Sequence, residues 1–178
     1  LFANLGDGKF ADIARPAGCD GIKDGRGVAV TDLNADGRLD DDVWSAAEPI
    51  VLGMLEREGA TRPRTEVRLV HVGGMLYVGC QLAEPAIGKL KRGVDTPDGP
   101  AYQDDSIELF LSPHPTRGYF QMIVSATGAV YDRRDRGDPA GWNSGAKAAV
   151  HIAASSWSLE VAIPMASLGV SDDVPTRW

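Results

Sequence analysis

The sequence predicts an all-β fold, specifically an antiparallel β-sandwich, and three observations lead to this prediction. Short apolar segments alternate with polar residues along most of the chain, as they do in strands that are buried on one face. The 21 glycines and 11 prolines supply frequent turns, and long helix-favouring runs are scarce. Hydrophobic residues form 43% of the 178-residue chain, which is enough for a packed core. Sandwiches of the immunoglobulin-like or jelly-roll-like kind satisfy all three observations.

Individual strands can be placed from the alternation and the turn residues. Thr65–Val72 and Met75–Leu82 predict a hairpin that turns at Gly73-Gly74. Further strands are predicted at Asp105–Ser112, at Tyr119–Ser125, as a short strand through Val130, at Ala148–Ala153 and at Trp157–Ile163. A single helical turn is expected at Met165–Leu168, and Glu48–Arg57 fits a helix and a strand about equally.

Residues 1–40 are predicted to form a separate unit from the sandwich of residues 41–178, because the two parts differ in composition. The first part is rich in Gly and Asp, and a turn at Gly6-Asp7-Gly8 separates two short apolar runs. A brief strand, Val28–Val30, leads into the segment DLNADGRLD. A unit of this size cannot bury a core alone, and such units normally stack on further copies.

DLNADGRLD is the most specific motif in the chain and predicts a calcium-binding loop. Its first, third, fifth and ninth positions carry side-chain oxygens, in Asp32, Asn34, Asp36 and Asp40. The carbonyl of Arg38 supplies a backbone oxygen, and Gly37 permits the sharp bend that turns alternate residues inward. An EF-hand is disfavoured, because its twelfth position would be Val43 rather than an acidic residue. The remaining alternative is an Asx-rich turn without metal.

In this strand–loop setting the N-terminal segment resembles the FG-GAP or VCBS repeat, the blade unit of integrin-type β-propellers. The resemblance rests on LFANLGDGKFADIA followed by GRGVAVTDLNADGRLD, and it covers residues 1–40. It implies a calcium ion held in a β-hairpin loop by the four side chains named above. Since one repeat cannot close a propeller, either the other repeats lie outside this sequence or the segment serves as a calcium-stapled edge.

Residues 39–178 resemble a second family, the family 9 carbohydrate-binding modules. Five segments carry the resemblance in order: LDDDVWSAAEP, TEVRLVHVGGMLYVGCQL, QDDSIELFLSP, GYFQMIVSATGAVYD and SSWSLEVAIPMASLG. The resemblance implies a β-sandwich that binds sugars, often at chain ends, in secreted glycan-degrading proteins. The stretch DGRLDDDVW belongs to both resemblances, which makes Asp40 the junction between them.

Sugar binding requires flat aromatic surfaces for the pyranose ring and planar polar groups for its hydroxyls. Trp142 is the best-suited tryptophan, because it lies in the polar, Gly-rich loop RGDPAGWNSGAK. The alternative is that its ring folds back onto the sandwich, in whose core Trp44 and Trp157 are expected. The predicted sugar-binding residues, expected around one end of the sandwich, are Tyr102, Gln103, Asp104, Arg134, Trp142 and Asn143.

Several of these polar residues have plainer interpretations. Asp104 and Asp105 are equally compatible with a second calcium site or with a turn. Arg133 and Arg134, expected after the end of their strand, fit a solvated pair beside neighbouring aspartates better than a pair that bridges sugar hydroxyls.

Three further classes of function are alternatives to sugar binding. Glycosidases place two carboxylates across a sugar bond, but Glu108 and Glu160 are more simply explained as exposed strand residues, so a noncatalytic module is predicted. A sandwich that binds haem b for electron transfer is an alternative, although its ligands are more simply core methionines and strand histidines. The candidate haem ligands are His71, His151, Met75, Met122 and Met165. A calcium-dependent structural or adhesion module is the third class.

The net charge and other features of the whole sequence limit the partners and the cellular location that we expect. The net charge of −7 repels phosphate backbones, so nucleic acid is not expected as a partner, and no apolar stretch has the length of a membrane span. Cys19 and Cys80 give no disulfide framework, and Cys80 is expected as a buried strand thiol. Because the sequence starts with Leu and stops at Arg177-Trp178, we expect a piece of a longer protein. The calcium loop and the resemblance to family 9 modules imply that this protein is extracellular or periplasmic. Its expected cofactor is Ca²⁺, and its expected ligand is a polysaccharide or oligosaccharide.

Overall fold

A computed structural model describes residues 2–6, 9–12, 36–52, 63–113, 116 and 118–170, with the backbone alone for the first two ranges. The strands in this part of the chain are β1 (Phe2–Gly6), β2 (Lys9–Asp12), β3 (Ile50–Val51), β4 (Thr65–Val72), β5 (Met75–Ala83), β6 (Ser106–Leu111), β7 (Phe120–Ser125), β8 (Val130–Arg134), β9 (Lys147–Ile152) and β10 (Ser156–Pro164). They form two antiparallel sheets, sheet A with the order β2-β1-β6-β7-β8 and sheet B with the order β3-β4-β5-β10-β9. The predicted antiparallel β-sandwich is confirmed.

Helical structure in the described residues is limited to short segments. One α-helix, α1, spans Asp42–Ala46, and single 3₁₀ turns lie at Ile87–Lys89, Ala101–Gln103, Pro139–Gly141 and Met165–Leu168. The last of these confirms the predicted helical turn after β10. None of the helices in the described part of the chain is long and apolar enough to cross a bilayer.

The hairpin of β4 and β5 forms as predicted, with Gly73 and Gly74 between the strands. Both glycines have positive φ angles, +57° and +72°, which two-residue hairpin turns require and which residues with a Cβ rarely adopt. The resulting register pairs Val67 with Cys80 and Leu69 with Val78, and so places the apolar residues of both strands on one face. The ambiguous segment 48–57 contributes β3 at Ile50–Val51, while residues 53–57 lie outside the described residues.

The core lies between the inner faces of the two sheets. Its fully buried members include Val78, Cys80, Met122, Val124, Leu159, Val161 and Ile163. Trp157 is also buried there, as predicted. Burial raises the pKa of the Cys80 thiol to about 12, so this predicted strand thiol stays protonated at neutral pH. Cys19 lies outside the described residues.

The N-terminal hairpin of β1 and β2 is part of sheet A. β1 pairs with β6, with Phe2 opposite Phe110 and Ala3 opposite Leu109. Residues assigned from sequence to the N-terminal unit therefore extend a sheet of the sandwich. Val28–Val30 and the residues between β2 and Asp36 lie outside the described part of the chain.

β8 continues further than the sequence pattern predicted. It was expected to end near Val130, which would put Arg134 in a loop, but it pairs with β7 from Val130 to Arg134. The last residue pair joins Arg134 to Phe120. The prediction was wrong because these polar residues are accommodated within the strand. Arg133 donates to Gln121 on the outer face, and Asp132, on the inner face, accepts hydrogen bonds from Ser144.

The loop before α1 is fastened to the outer face of sheet B by the carboxylate of Glu160. This side chain accepts the backbone N–H of Gly37 at Oε2 (2.8 Å) and the indole N–H of Trp44 at Oε1 (2.7 Å). In addition, the hydroxyl of Ser158 donates to the carbonyl of Gly37 (2.6 Å). Glu160 is only 2% exposed, so its interpretation as an exposed strand residue was wrong. The donors that cover it lie more than 110 residues earlier in the chain.

Two glycines allow this close approach. Gly37 has a φ of +86°, and a Cβ there would come within 2.5 Å of the Val150 backbone in β9. A Cβ at Gly79 would come within 2.9 Å of the Trp44 ring. Trp44 is therefore 1% exposed, as predicted for a core residue, but it is buried on the outer face of sheet B rather than between the sheets.

Burial has an electrostatic cost at Glu160. Loss of water raises the pKa of its carboxyl, the Trp44 and Gly37 hydrogen bonds lower it, and the charges of Asp41 and Asp36 raise it further. The two donated hydrogen bonds are thus the contacts that offset removal of this carboxylate from water.

Replacing Glu160 with Ala is expected to lower the free energy of unfolding by about 2–4 kcal/mol, because it leaves two buried donors without an acceptor. Urea denaturation measures this. Trp44→Phe, which removes one donor and keeps an aromatic ring, should have a smaller effect. Glu48→Ala, at an exposed carboxylate beside the opposite edge strand β3, should change stability by less than ~0.5 kcal/mol. A Glu160→Ala effect as small as that of Glu48→Ala would show that the carboxylate does not hold the loop.

Candidate functional site

A cleft of about 400 Å³ opens along the side of the sandwich where the edge strands β8 and β9 face each other. Its lining residues are Asp95, Pro97, Asp98, Thr127, Gly128, Ala129, Val130, Asp132, Asn143, Ala146 and Ala148. They come from three parts of the chain: the loop before the 3₁₀ turn at Ala101–Gln103, the turn into β8, and the connection from β8 to β9. The volume falls in the range of small-molecule sites.

The first wall of the cleft is the loop around Asp95–Asp98, which is held to the turn between β7 and β8. The backbone N–H of Asp98 donates to the carbonyl of Val130 (3.0 Å), and the Val94 carbonyl accepts the hydroxyls of Ser125 (3.3 Å) and Thr127. Asp98 has a φ of +57°, a left-handed conformation that Asp tolerates better than most residues. The loop therefore has a defined position without being part of a sheet.

Asp104 and Asp105 anchor the other end of the same loop. The carboxylate of Asp104 accepts the backbone N–H groups of Gly93 (3.0 Å) and Val94 (2.8 Å), and that of Asp105 accepts the N–H of Lys91 (2.8 Å). Both oxygens of Asp104 are therefore engaged with the backbone of the loop. Asp104 and Asp105 were compatible with a second calcium site or with a turn, and these backbone hydrogen bonds are typical of a turn.

Asp132 is the most buried polar residue of the cleft, at 6% exposure. It lies opposite Met122 in the β7–β8 register, on the inner face of an edge strand. One carboxylate oxygen, Oδ2, accepts the backbone N–H (3.1 Å) and the hydroxyl of Ser144. Burial raises the pKa of this carboxyl, the Ser144 bonds lower it, and the negative charge of Asp98 raises it.

Asn143 lies on the second wall, in the connection from β8 to β9. Its carboxamide oxygen accepts the N–H of Gly145 (2.7 Å), which fixes the side chain in an Asx turn, and Gly145 has a φ of +65°. The loop that follows β8 and the loop that precedes β6 thus meet at one cleft. The residues that bring them together are Asn143 on one side and Asp95, Pro97 and Asp98 on the other.

The other predicted sugar-binding residues are divided between two ends of sheet A. Tyr102 and Gln103 are exposed in the 3₁₀ turn close to the start of β6, and the Tyr102 side chain is 64% exposed. The start of β6 pairs with Ser125, whereas Arg134 pairs with Phe120. Five strand residues at ~3.4 Å each separate these two levels of the sheet by about 17 Å. The six predicted residues therefore do not converge on a single point.

Trp142 and Arg134 form an aromatic cluster with Phe120. The Trp142 and Phe120 ring centroids are 4.7 Å apart, and the Trp142 indole N–H donates to the carbonyl of Ser167 (3.3 Å). The Arg134 guanidinium lies 5.6 Å from the Phe120 centroid and within 3.9 Å of the Asp135 carboxylate. Trp142 is partly buried against the core, so its ring folds back onto the sandwich, which was the alternative weighed for it.

The calcium-loop residues are described only from Asp36 onward, since Asp32 and Asn34 lie outside the described residues. Asp36 accepts the N–H of Arg38 (2.9 Å), and Gly37 makes the expected sharp bend. Asp36 and Asp40 are exposed. Among the residues that the structure describes, no group of three or more acidic, His or Cys side chains is placed to hold a metal ion. The calcium site remains a prediction.

Residues named for the alternative functions are scattered. Glu108 accepts a hydrogen bond from Gln121 on the outer face of sheet A, whereas Glu160 lies on the outer face of sheet B. His71 pairs with Leu76, and His151 pairs with Ser158, which places the two histidines on opposite faces of sheet B. Met122 and Met165 belong to the packed core. Neither the two glutamates nor the two histidines share a site.

The carboxylates of the cleft were not predicted from the sequence. Asp95 and Asp98 were not predicted as site residues, and Asp132 was considered only as one of the aspartates beside Arg133 and Arg134. A signal was available for Asp132, because alternation along VYDRR puts it on the same face as Val130. It was obscured by the expectation that β8 ends early.

Asp132→Asn is expected to change how stability depends on pH. The raised folded-state pKa means that the folded protein binds the proton more tightly than the unfolded chain does, so protonation stabilises the fold. That contribution is fully present below the unfolded pKa and is lost as the pH rises through the folded pKa. The free energy of unfolding of the native chain, measured relative to Asp132→Asn by urea denaturation, should therefore fall from acidic to neutral pH. A difference that rises or stays constant would contradict this.

Comparison with solved structures finds proteins of the same fold. A candidate carbohydrate-binding protein from Bacteroides uniformis is 18% identical with a TM-score of 0.56, over 71% of this chain and 65% of that one. A family 9 carbohydrate-binding module from Caldicellulosiruptor kristjanssonii, solved with cellotriose and with glucose, is 19% identical with a TM-score of 0.52. These matches cover 74% of this chain and 63% and 64% of the other chains. This chain thus spans just under two thirds of each relative.

A short segment of this chain is similar to part of a much longer protein. Cartilage acidic protein 1 of Xenopus tropicalis is 54% identical over 41 residues, which are 22% of this chain and 6% of that protein. The model of the family described as "Carbohydrate family 9 binding domain-like" matches residues 35–176, which is well over half of the chain. The chain therefore belongs to the Carbohydrate family 9 binding domain-like family.

Proposed function

We propose that this domain is a noncatalytic carbohydrate-binding module and that the sugar binds in the side cleft between β8 and β9. The observation that carries the proposal is the cleft itself: a concave site of about 400 Å³ that combines hydroxyl-binding groups with an apolar wall, in a chain of this family. A single hexose ring fits a site of this size.

The chemistry of the lining suits a pyranose. Carboxylates accept hydrogen bonds from adjacent sugar hydroxyls, and the Asn143 carboxamide offers both a donor and an acceptor. Pro97, Ala146 and Ala148 supply apolar surface for the ring carbons. Tyr102 follows the cleft-lining loop directly and is one of two largely exposed large apolar side chains among the described residues, so it is the proposed stacking platform.

The known relatives define the first ligands to test. The Caldicellulosiruptor module was solved with cellotriose and with glucose, which are neutral gluco-configured sugars. At 19% identity these structures support a shared fold, and the contacts here must be determined on this chain. We therefore propose binding of a polysaccharide or oligosaccharide, with the sugar to be identified from a panel.

Tyr102→Ala and Asn143→Ala are each expected to weaken glycan binding about tenfold, since loss of a stacking ring or of a hydrogen-bonding group costs roughly 1 kcal/mol or more. Isothermal calorimetry against glucose, cellotriose and a wider glycan panel measures this. Val51→Ala, at an exposed apolar residue of the far edge strand β3, is the matched control and should leave affinity unchanged.

A Trp142 variant shows whether Tyr102 or Trp142 is the aromatic residue that contacts the sugar. Trp142→Phe keeps a ring against Phe120 and should not change affinity if the sugar binds in the cleft. A large loss in Trp142→Phe, with Tyr102→Ala and Asn143→Ala unaffected, would place the sugar at the Arg134–Trp142 cluster. If no glycan of the panel binds, the proposal fails, and the domain would be assigned a structural or adhesive role.

We also propose that the segment DLNADGRLD binds calcium through Asp32, Asn34, Asp36, Asp40 and the Arg38 carbonyl, in a protein that is extracellular or periplasmic and carries further domains. Two observations support a structural role for the ion. Gly37 adopts the bend that the motif requires, and the same glycine is hydrogen-bonded to Glu160 and Ser158. Calcium would fix the junction between the loop and sheet B, away from the cleft.

Removal of calcium with EDTA is expected to lower the melting temperature by several degrees while changing glycan affinity less than twofold, since ligands stabilise the state that they bind. Differential scanning calorimetry and glycan titration are run on the same sample, with Asp36→Asn as a variant whose melting temperature should be insensitive to EDTA. Equal losses of stability and affinity would place the ion in the sugar site instead.

A further inference from the structure

The charged residues that line the cleft are all acidic. Three carboxylates, Asp95, Asp98 and Asp132, line it, and no Lys, Arg or His is among its described lining residues. The nearest arginine on the same face of β8 is Arg134, two residues beyond Asp132, and its guanidinium lies over Phe120 and next to Asp135. A ligand in the cleft therefore experiences a negative potential that no lining cation offsets.

The buried member of this group, Asp132, uses one of its two carboxylate oxygens for hydrogen bonds within the protein. Ser144 donates twice to Oδ2 of Asp132, and the described residues donate no hydrogen bond to Oδ1. Asp132 is more than nine-tenths buried and lines the cleft, so Oδ1 is available as an acceptor for a group bound there. The charge of Asp98 also raises the pKa of this carboxyl, which is a repulsion that a bound cation would relieve.

The spacing of the carboxylates favours an extended organic cation over a metal ion. A divalent ion needs several oxygens within about 2.6 Å of one point. Among the residues that the structure describes, no three acidic, His or Cys side chains are grouped in that way. A molecule that spans the cleft can reach the separate carboxylates with different groups.

We propose that the cleft selects a positively charged sugar, a 2-amino-2-deoxy hexose unit, over neutral and acidic sugars; this rests on the proposed function. The ammonium group donates to Oδ1 of Asp132 and interacts with Asp98, while the ring hydroxyls bind Asn143 and Asp95. Uronic acids are repelled by the three carboxylates. N-acetylation of the amine removes the charge and with it the preference.

Calorimetry on the full chain compares three probes of equal length and linkage: the β-1,4-linked trimer of glucosamine, its fully N-acetylated form, and cellotriose. The glucosamine trimer is expected to bind about tenfold more tightly than the other two, because a hydrogen bond between charged groups contributes roughly 1.5 kcal/mol or more. Raising the salt concentration should reduce this preference, because surface electrostatic interactions are screened.

Asp98→Asn is the diagnostic variant, since Asn tolerates the left-handed backbone of Asp98 and the carboxylate is exposed. It should reduce affinity for the glucosamine trimer at least about threefold more than it reduces affinity for cellotriose, in line with loss of one charge pair. Glu48→Gln removes the same charge beside the opposite edge of sheet B and should not change the preference.

The results separate this inference from the proposed function. Equal affinity for the glucosamine trimer and cellotriose overturns the charged-sugar inference and leaves the sugar-binding function in place. A preference reduced equally by Asp98→Asn and Glu48→Gln also overturns it, because the attraction would then come from the net charge of the chain. If none of the three probes binds and the wider panel is also negative, the proposed function itself fails.

Discussion

The two oxygens of the Glu160 carboxylate hold the loop around Gly37 and the start of α1 against β10, an inner strand of sheet B. One face of that strand is apolar and fills the core, and the other carries Ser158 and Glu160, which bind the backbone of Gly37. A buried carboxylate is stable only where donors replace water, and the Trp44 indole and the Gly37 amide do so. Sheet B is thus covered on both faces, which explains why β10 is buried along almost its whole length.

The open side of the molecule follows from the same architecture. Two five-stranded sheets that are stacked face to face leave edge strands, and β8 and β9 are neighbouring edges from different sheets. The chain crosses between them through Asn143 and Ser144, and Ser144 satisfies the buried Asp132. Polar residues are therefore concentrated at this open boundary of the core, between β8 and β9. A binding cleft is placed there by topology, and its chemistry is set by the few side chains that line it.

Much of the fold was predictable from the sequence, because strands and tight turns are coded locally. Gly73-Gly74 fixed the β4–β5 hairpin, and period-two alternation located the apolar face of β10. The site was less predictable, since its contacts join distant residues. Trp142 stands in a polar stretch, yet it stacks on Phe120, and Glu160 bonds to a residue 123 positions away. Local polarity indicates exposure only when no distant segment covers the residue.

The Glu160-bound loop and the cleft lie on different surfaces but share one strand, β9. Gly37 packs on the β9 backbone from the outer face, whereas Ala148 of the same strand lines the cleft. A change in the loop can therefore reach the cleft by displacing β9. That strand is fixed to β10 by a continuous antiparallel register from Lys147 to Ile152, and packed sheets resist small displacements. The loop therefore affects mainly the stability of the sandwich, while ligand selection depends on the charge and shape of the open edge.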